Sequence, residues 1–492
     1  MNIKDRTIFG VFWNGFGKLV NQLVQFIIMV VLAKLLVPAD FGVVGIALIF
    51  TRLITLINEL GIAAAIVQKK EINDYEIANL FTASLLTGLV LSVVLCLSSP
   101  YLASFFNAKI LDGVLKVISI TLIIGALGVI QKSLLNRELK FKQIANVEIV
   151  GVVIYGVVSI VLALFNYSVW SIVFGIIANN VVITFLFWIL SDWKPKLYLN
   201  FVQLKSLVNF GLNVLGSNFV NYAGANIASF VAGKFLGTSL LGIYTLANTI
   251  INQTIGRISF IVGRVMFPAL SKMQDDNDRY VNAFLKVLQV ITLISFPFLI
   301  WITILANPFI TVVFGEKWKD AIFPLQVFAL VNIVKTVGNN VSTILLSKGR
   351  SDIEFKWNVV NIILMLMILL FTVRYGLNAM VLGIAIFQFV GTFVIQKITY
   401  SLVDLTLTRV GLTVLPNFMS ALAMGGMIAL FSHLLQGFLS PTVFLITAAV
   451  LGVIFYAGFL MVFNIRQLKE LKMSLEESML FEKIKNIKSA IV

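Results

Sequence analysis

Uninterrupted apolar runs fill most of this chain. They lie near 8–36, 41–67, 77–98, 113–135, 145–165, 169–190, 206–232, 241–266, 283–305, 320–347, 356–373, 379–400, 412–433 and 442–463. A helix needs about 20 apolar residues to cross a bilayer, and most runs reach or approach that length. The runs are continuous rather than alternating, so they predict helices and not the strands of a barrel. The pattern predicts an all-α polytopic membrane protein with about 14 transmembrane helices. The first run follows only MNIKDRT and is too long for a signal-peptide core, so Met1 to Leu36 is expected to be a retained first span.

One stretch is read twice. Residues 33–48, AKLLVPADFGVVGIAL, align without a gap on 233–248, GKFLGTSLLGIYTLAN. Lys34 falls on Lys234, Leu36 on Leu236, Gly42 on Gly242 and Ala47 on Ala247. Each copy ends one apolar run, carries one lysine and a short break, and starts the next run. Each therefore predicts a tight hairpin between two membrane helices, one at the head of each half. Six helices separate the copies, so the halves share one orientation. That spacing predicts two six-helix lobes, 1–200 and 201–405, in a parallel pseudo-twofold repeat about the membrane normal. A helix pair at 406–463 and a basic tail at 464–492 complete the chain. Leu468, Leu471, Leu475, Met479 and Ile484 recur at helical spacing, which suits an interfacial helix or a solvated tail with some helix.

Charge refines this map. Charged residues are 12% of the chain and the formal net charge is +15. In a soluble protein that excess would suggest nucleic acid. Here the lysines and arginines gather in alternate loops: Lys4 and Arg6, Lys69 and Lys70, Arg137 to Lys142, Lys194 to Lys205, Lys272 and Arg279, Lys348 to Lys356. The opposite loops have Lys34, Lys109, Lys234, Lys317, Lys319, Arg374 and little else. The positive-inside rule then places both termini in the cytoplasm and leaves no signal for nucleic acid. The loops are too short for a catalytic domain outside the membrane, which argues against a glycosyltransferase or polymerase and against an enzyme generally. Cys96 and His433 are each the single residue of their kind, so no thiolate metal site, disulfide or histidine triad is expected, and nothing calls for a cofactor.

The remaining chemistry lies inside the spans. Asn14, Lys18, Asn21 and Gln25 follow i, i+4, i+7 and i+11, which puts them on one stripe of the first helix. The second helix has Arg52 and Glu59 on one face. The eighth has Gln253, Arg257 and Arg264 on one face and Asn248 and Asn252 on another, and the tenth has Asn332, Lys335 and Asn339. Charges in a span face a cavity or a partner. The set can surround a cationic cavity, with Lys18, Arg52, Arg257, Arg264 and Lys335 against Glu59. Each residue also has a plainer use: helix–helix hydrogen bonding, an Arg52–Glu59 salt bridge, or snorkelling near an end. A cationic cavity suits an anionic substrate, because arginine holds phosphate oxygens bidentately and stays charged. Asparagine and glutamine supply donors and acceptors for sugar hydroxyls.

Three segments also carry a family likeness. FWNGFGKLVNQLVQF, LAKLLVPADFGVVGIA and ELGIAAAIVQKKEIN, all within residues 1–145, resemble the polysaccharide-transporter branch of the multidrug/oligosaccharidyl-lipid/polysaccharide (MOP) exporter superfamily. Within it they are similar to Wzx-type flippases of the colanic-acid flippase-like group. The resemblance implies a two-lobed, fourteen-helix, V-shaped transporter of the bacterial inner membrane. It implies movement of undecaprenyl-diphosphate-linked oligosaccharides from the inner to the outer leaflet by alternating access. In that reading Lys18, Arg52, Arg257 and Lys335 hold the diphosphate and acidic sugars, and Asn14, Asn21, Gln25 and Asn248 contact glycan hydroxyls. Glu59 either fixes a cavity arginine or exchanges a proton. H+ or Na+ are candidate counter-ions, and the polysaccharide polymerase and chain-length machinery are candidate partners beside membrane lipids. The alternative is a MATE-like cation-coupled drug or metabolite antiporter. Many of those use an acidic residue in the first span, where this sequence has Lys18.

Overall fold

The structure, a computed structural model, describes residues 3–69, 71–200, 219–252, 270–271, 273, 276–338, 341–435 and 438–463, with backbone alone for 3–12, 14, 16, 57–65, 67–68 and 435. Its described residues form helices and no strands. Twelve helical stretches among them are long and apolar enough to cross a membrane. The runs at 206–232 and 241–266 extend into residues outside the description. Their described parts are a helix over 219–235 and the helix Gly237–Ile251. The chain is a multi-pass membrane protein. Inside a bilayer every backbone polar group must be bonded within the segment, so continuous apolar sequence becomes continuous helix. Hydroxyl side chains in these helices bond back one turn: Thr51 donates to Ala47 O at 2.6 Å and Thr55 to Thr51 O at 2.9 Å. That return bond lets threonine sit in an apolar helix.

The helices begin α1 Ile3–Leu35, α2 Pro38–Gln68, α3 Asp74–Phe105, α4 Ile110–Ile118, α5 Ile120–Arg137, α6 Phe141–Leu164 and α7 Val169–Leu190. We call 219–235 α8 and Gly237–Ile251 α9. The run near 113–135 is thus one span built from two helices, α4 and α5, that meet at Ser119. The run at 283–305 extends further than its apolar core, over Asn277–Val313, with a kink at Leu305 (φ −100°, ψ 17°). Pro308 causes it, since proline has no N–H for the carbonyl four residues back.

Helix packing gathers the chain into two compact units. One comprises Met1–Thr249, Val313–Ala321 and Phe355–Ile384; the other comprises Ile250–Val312, Ile322–Glu354 and Ala385–Val492. Within the first unit the two repeated hairpins meet. Both are tighter than the sequence pattern implies: α1 ends at Leu35 and α2 begins at Pro38, while 219–235 gives way directly to Gly237. Leu36 N–H bonds to Leu32 O, and Leu236 N–H bonds to Ala232 O, each at 2.8 Å. The first turn is closed by Asp40, which accepts from Val37 N–H at 3.2 Å and from Ser168 Oγ at 2.5 Å. The second is made by Gly237 at φ +83°, a conformation that favours glycine.

The contact between the hairpins is reciprocal. A Cβ placed on Gly42 would lie 1.8 Å from Thr238 O, and one on Gly242 would lie 1.9 Å from Pro38 O. Thr238 is the repeat equivalent of Pro38, so each glycine admits the other hairpin's backbone. The segment 313–321 then caps α1. Trp318, fully buried, donates from Nε1 to Ala33 O at 2.8 Å, and Lys317 Nζ donates to Lys34 O at 2.8 Å. Both fill carbonyls that a helix C-terminus leaves open.

At the far end of the same unit, residues 191–200 run extended along the start of α3. Asn79, wholly buried, donates to Asn200 O at 3.0 Å and accepts from Asn200 N–H at 2.9 Å. Trp193 packs edge-on to Phe81. The second unit is joined by similar single polar bonds between apolar helices. Asn417 Nδ2 donates to Gln289 O and Thr292 Oγ1, both at 3.0 Å, and Tyr456 donates to Leu293 O at 2.8 Å.

Candidate functional site

Two residues of the expected α1 stripe, Asn21 and Gln25, are joined, and Asn21 reaches α6. Gln25 Nε2 donates to Asn21 Oδ1 at 2.8 Å, and Asn21 Nδ2 donates to Glu148 O at 3.2 Å. One turn earlier α1 packs closely on α6: a Cβ on Gly17 would lie 2.6 Å from the Ala145 Cβ. Lys18, on the same stripe, is exposed. Asn14 lies on α1 one turn before Lys18, with its side chain outside the description.

Two charges that the sequence analysis did not select extend this network. Lys132 Nζ on α5 and Glu148 Oε1 on α6 form an ion pair at 3.0 Å. Both belong to stretches that can cross a membrane, Ile110–Arg137 and Phe141–Leu164. Both stand toward the end of their stretch nearest the α5–α6 turn, where a charge costs less than at the centre of a span, and pairing offsets part of that cost. The signal was available in the sequence. Lys132 and Glu148 stand at equal distances on either side of Lys140, at the turn between α5 and α6. Antiparallel helices bring equidistant residues to the same height.

Arg52 is exposed on α2. The turn before it is held by Tyr222 of α8, whose hydroxyl donates to Ile49 O at 2.8 Å. Asn248 is half-buried on α9. The first unit thus carries Lys18, Asn21, Gln25, Arg52 and Asn248 together with Lys132 and Glu148. Lys335 lies in the second unit, half-buried on the helix Ile322–Gly338. Its neighbours Asn332 and Thr336 bond back within that helix, to Phe328 O at 2.8 Å and Asn332 O at 2.7 Å. Arg257 and Arg264 lie outside the described residues, as does the tail from 464. The Glu59 side chain is likewise outside the description, so its pairing with Arg52 is not seen.

A concave surface of about 520 Å³ opens where α3, α5, α7 and the extended segment converge. It is lined by Asp74, Glu138, Lys140, Asp192, Lys194 and Lys196 among others. Its charges are mostly spent on one another: Lys140 pairs with Glu138 at 2.6 Å and Lys196 with Asp74 at 3.9 Å. Glu138 holds the Lys140 ammonium above the ordinary lysine range. By contrast, the α1 stripe offers one cation, Lys18, and the amides of Asn21 and Gln25 inside a span. That arrangement can hold an anionic, hydroxyl-rich group.

A sequence profile of the family described as "Polysaccharide biosynthesis protein" matches residues 31–323, more than half of the chain. The chain is 29% identical over 361 residues to the lipopolysaccharide biosynthesis protein WzxC of Escherichia coli (strain K12), covering 73% of each. It is 28% identical over 360 residues to the teichuronic acid biosynthesis protein TuaB of Bacillus subtilis (strain 168), covering 73% of this chain and 74% of that one. Its fold is similar to that of the lipid II flippase MurJ in an inward closed conformation, with TM-score 0.74 at 15% identity over 92% of this chain and 98% of that one. An inward-facing multidrug resistance MATE family transporter of the MOP superfamily follows, with TM-score 0.59 at 16% identity over 78% and 94%. The matched region contains both hairpins, Arg52, the Lys132–Glu148 pair and Asn248, and the chain belongs to the polysaccharide biosynthesis protein family, built on the fold of the MOP transporters.

Proposed function

We propose that the chain is a flippase that moves undecaprenyl-diphosphate-linked oligosaccharide repeat units from the inner to the outer leaflet of the bacterial plasma membrane. The observation that carries this reading is the α1 stripe of Lys18, Asn21 and Gln25, held inside a span of a polysaccharide biosynthesis family chain. Lys18, Arg52, Arg257 and Lys335 supply the cations for the diphosphate. Asn14, Asn21, Gln25 and Asn248 contact glycan hydroxyls, and the lipid tail stays in the bilayer. Two lobes, 1–200 and 201–405, rock to expose the site to each side in turn, with the helix pair 406–463 and the tail 464–492 outside that movement. Both termini lie in the cytoplasm, and the repeated hairpins lie at the outer mouth. Glu59 fixes a cavity arginine or carries the coupling proton.

An antiporter of cationic drugs would need a carboxylate where the candidate span Gly17–Leu35 has Lys18 and no acidic residue. The test is complementation of a flippase-deficient strain by the full chain carrying Lys18→Ala and Arg257→Ala, with membrane abundance measured alongside. Each lost charged hydrogen bond should weaken substrate binding by about 1.5–3 kcal/mol, so export should fall sharply at normal abundance. Full polysaccharide export by the abundant double variant would reject the substrate site.

A further inference from the structure

The Lys132–Glu148 pair has the form of an exchangeable site rather than a packed strut. One contact, Nζ to Oε1 at 3.0 Å, joins the two side chains. The Lys132 side chain is 45% exposed and that of Glu148 33%, so neither is sealed in a core. An ammonium has three donors, and one carboxylate oxygen occupies one of them. Phosphate oxygens and carboxylate oxygens compete for the same donors. The scaffold beneath the pair is fixed: Asn21 holds the Glu148 carbonyl, and Gly17 seats α1 against Ala145 one turn away. The pair therefore continues the α1 stripe across α6 to α5.

We propose that Lys132 is a binding residue for a lipid diphosphate and that Glu148 is its resident counter-ion. The inference rests on the flippase reading. In the empty protein Glu148 neutralises a lysine that a span would otherwise hold alone. An arriving phosphate oxygen takes the ammonium from Glu148, and the carboxylate takes it back when the substrate leaves. Binding becomes an exchange of one anion for another, which keeps affinity moderate and release fast. No covalent bond changes.

The test uses the purified full chain in detergent, with undecaprenyl diphosphate as probe and undecaprenol as the phosphate-free control. The wild-type chain should bind the diphosphate in preference to the alcohol. Lys132→Met should weaken diphosphate binding about tenfold or more, the size of a lost charged hydrogen bond. Glu148→Gln should strengthen it several-fold, because the competing carboxylate is gone. Neither change should alter binding of the alcohol. Both variants weakening the diphosphate alike, or neither affecting it, would make the pair structural and overturn this inference while the flippase reading stands. A wild-type chain with no preference for the diphosphate would overturn both. If Lys132→Met does not accumulate, Glu148→Gln decides: stronger binding supports the exchange, and equal or weaker binding rejects it.

Discussion

Trp318 fixes the end of α1 by two means at once. Its indole N–H fills the Ala33 carbonyl, and its ring lies edge-on to Phe41 at 5.2 Å between centroids. Beside it Lys317 fills the Lys34 carbonyl. Lys234 does the same for α3, donating to Phe105 O at 2.6 Å and lying over the Phe105 ring. Two of the few lysines on the poorly charged side of the chain are thus helix caps, where a cation also meets the negative end of the dipole. Trp318→Ala should destabilise the purified protein by about 3–5 kcal/mol, as for a buried aromatic cut back to alanine. Trp318→Phe keeps most of the ring and drops the donor, so it should cost about 1 kcal/mol. Thermal unfolding in detergent checks both, and an unshifted Trp318→Ala transition would show that the cap is dispensable. Site legibility at this scale was uneven. The spacing put Asn21 and Gln25 on one stripe, and four residues is one helical turn, so the two side chains meet. The Lys132–Glu148 pair becomes legible only once the α5–α6 turn is placed at Lys140, because helix periodicity alone does not relate residues on two helices.

The hairpins carry the element-scale argument. Their sequences align because each must turn a chain within two residues and then present a glycine. The bonds Leu36 to Leu32 and Leu236 to Ala232 are the same bond in two copies. The turns themselves differ: Pro38 and Asp40 make one, and a left-handed Gly237 makes the other. The glycines do the same work in both copies, since each faces backbone of the other. Gly42→Ala and Gly242→Ala should each destabilise by about 1–3 kcal/mol, because the new methyl meets a carbonyl that cannot swing away. The two changes act on one contact, so the double variant should lose less than the sum. Strict additivity in thermal unfolding would mean that the two glycines do not share an interface.

For the whole molecule, orientation is the prediction to check. In a Cys96→Ala background, Lys34→Cys should react with a membrane-impermeant thiol reagent added to intact cells, and Arg350→Cys should not. Labelling of position 350 from outside would invert the topology. What the sequence determined by itself was the membrane class, most of the spans and their charge asymmetry. Those follow from lengths of apolar sequence and from loop charges, which are local quantities. The two hairpins were legible for the same reason, as a match at one fixed offset. Tertiary structure decided the rest. That Gly42 receives Thr238, that Trp318 reaches back to Ala33 and that Glu148 pairs with Lys132 are matters of which helix packs on which. Apolar helices have many similar faces, and the few polar and small side chains select among them only once the helices are brought together.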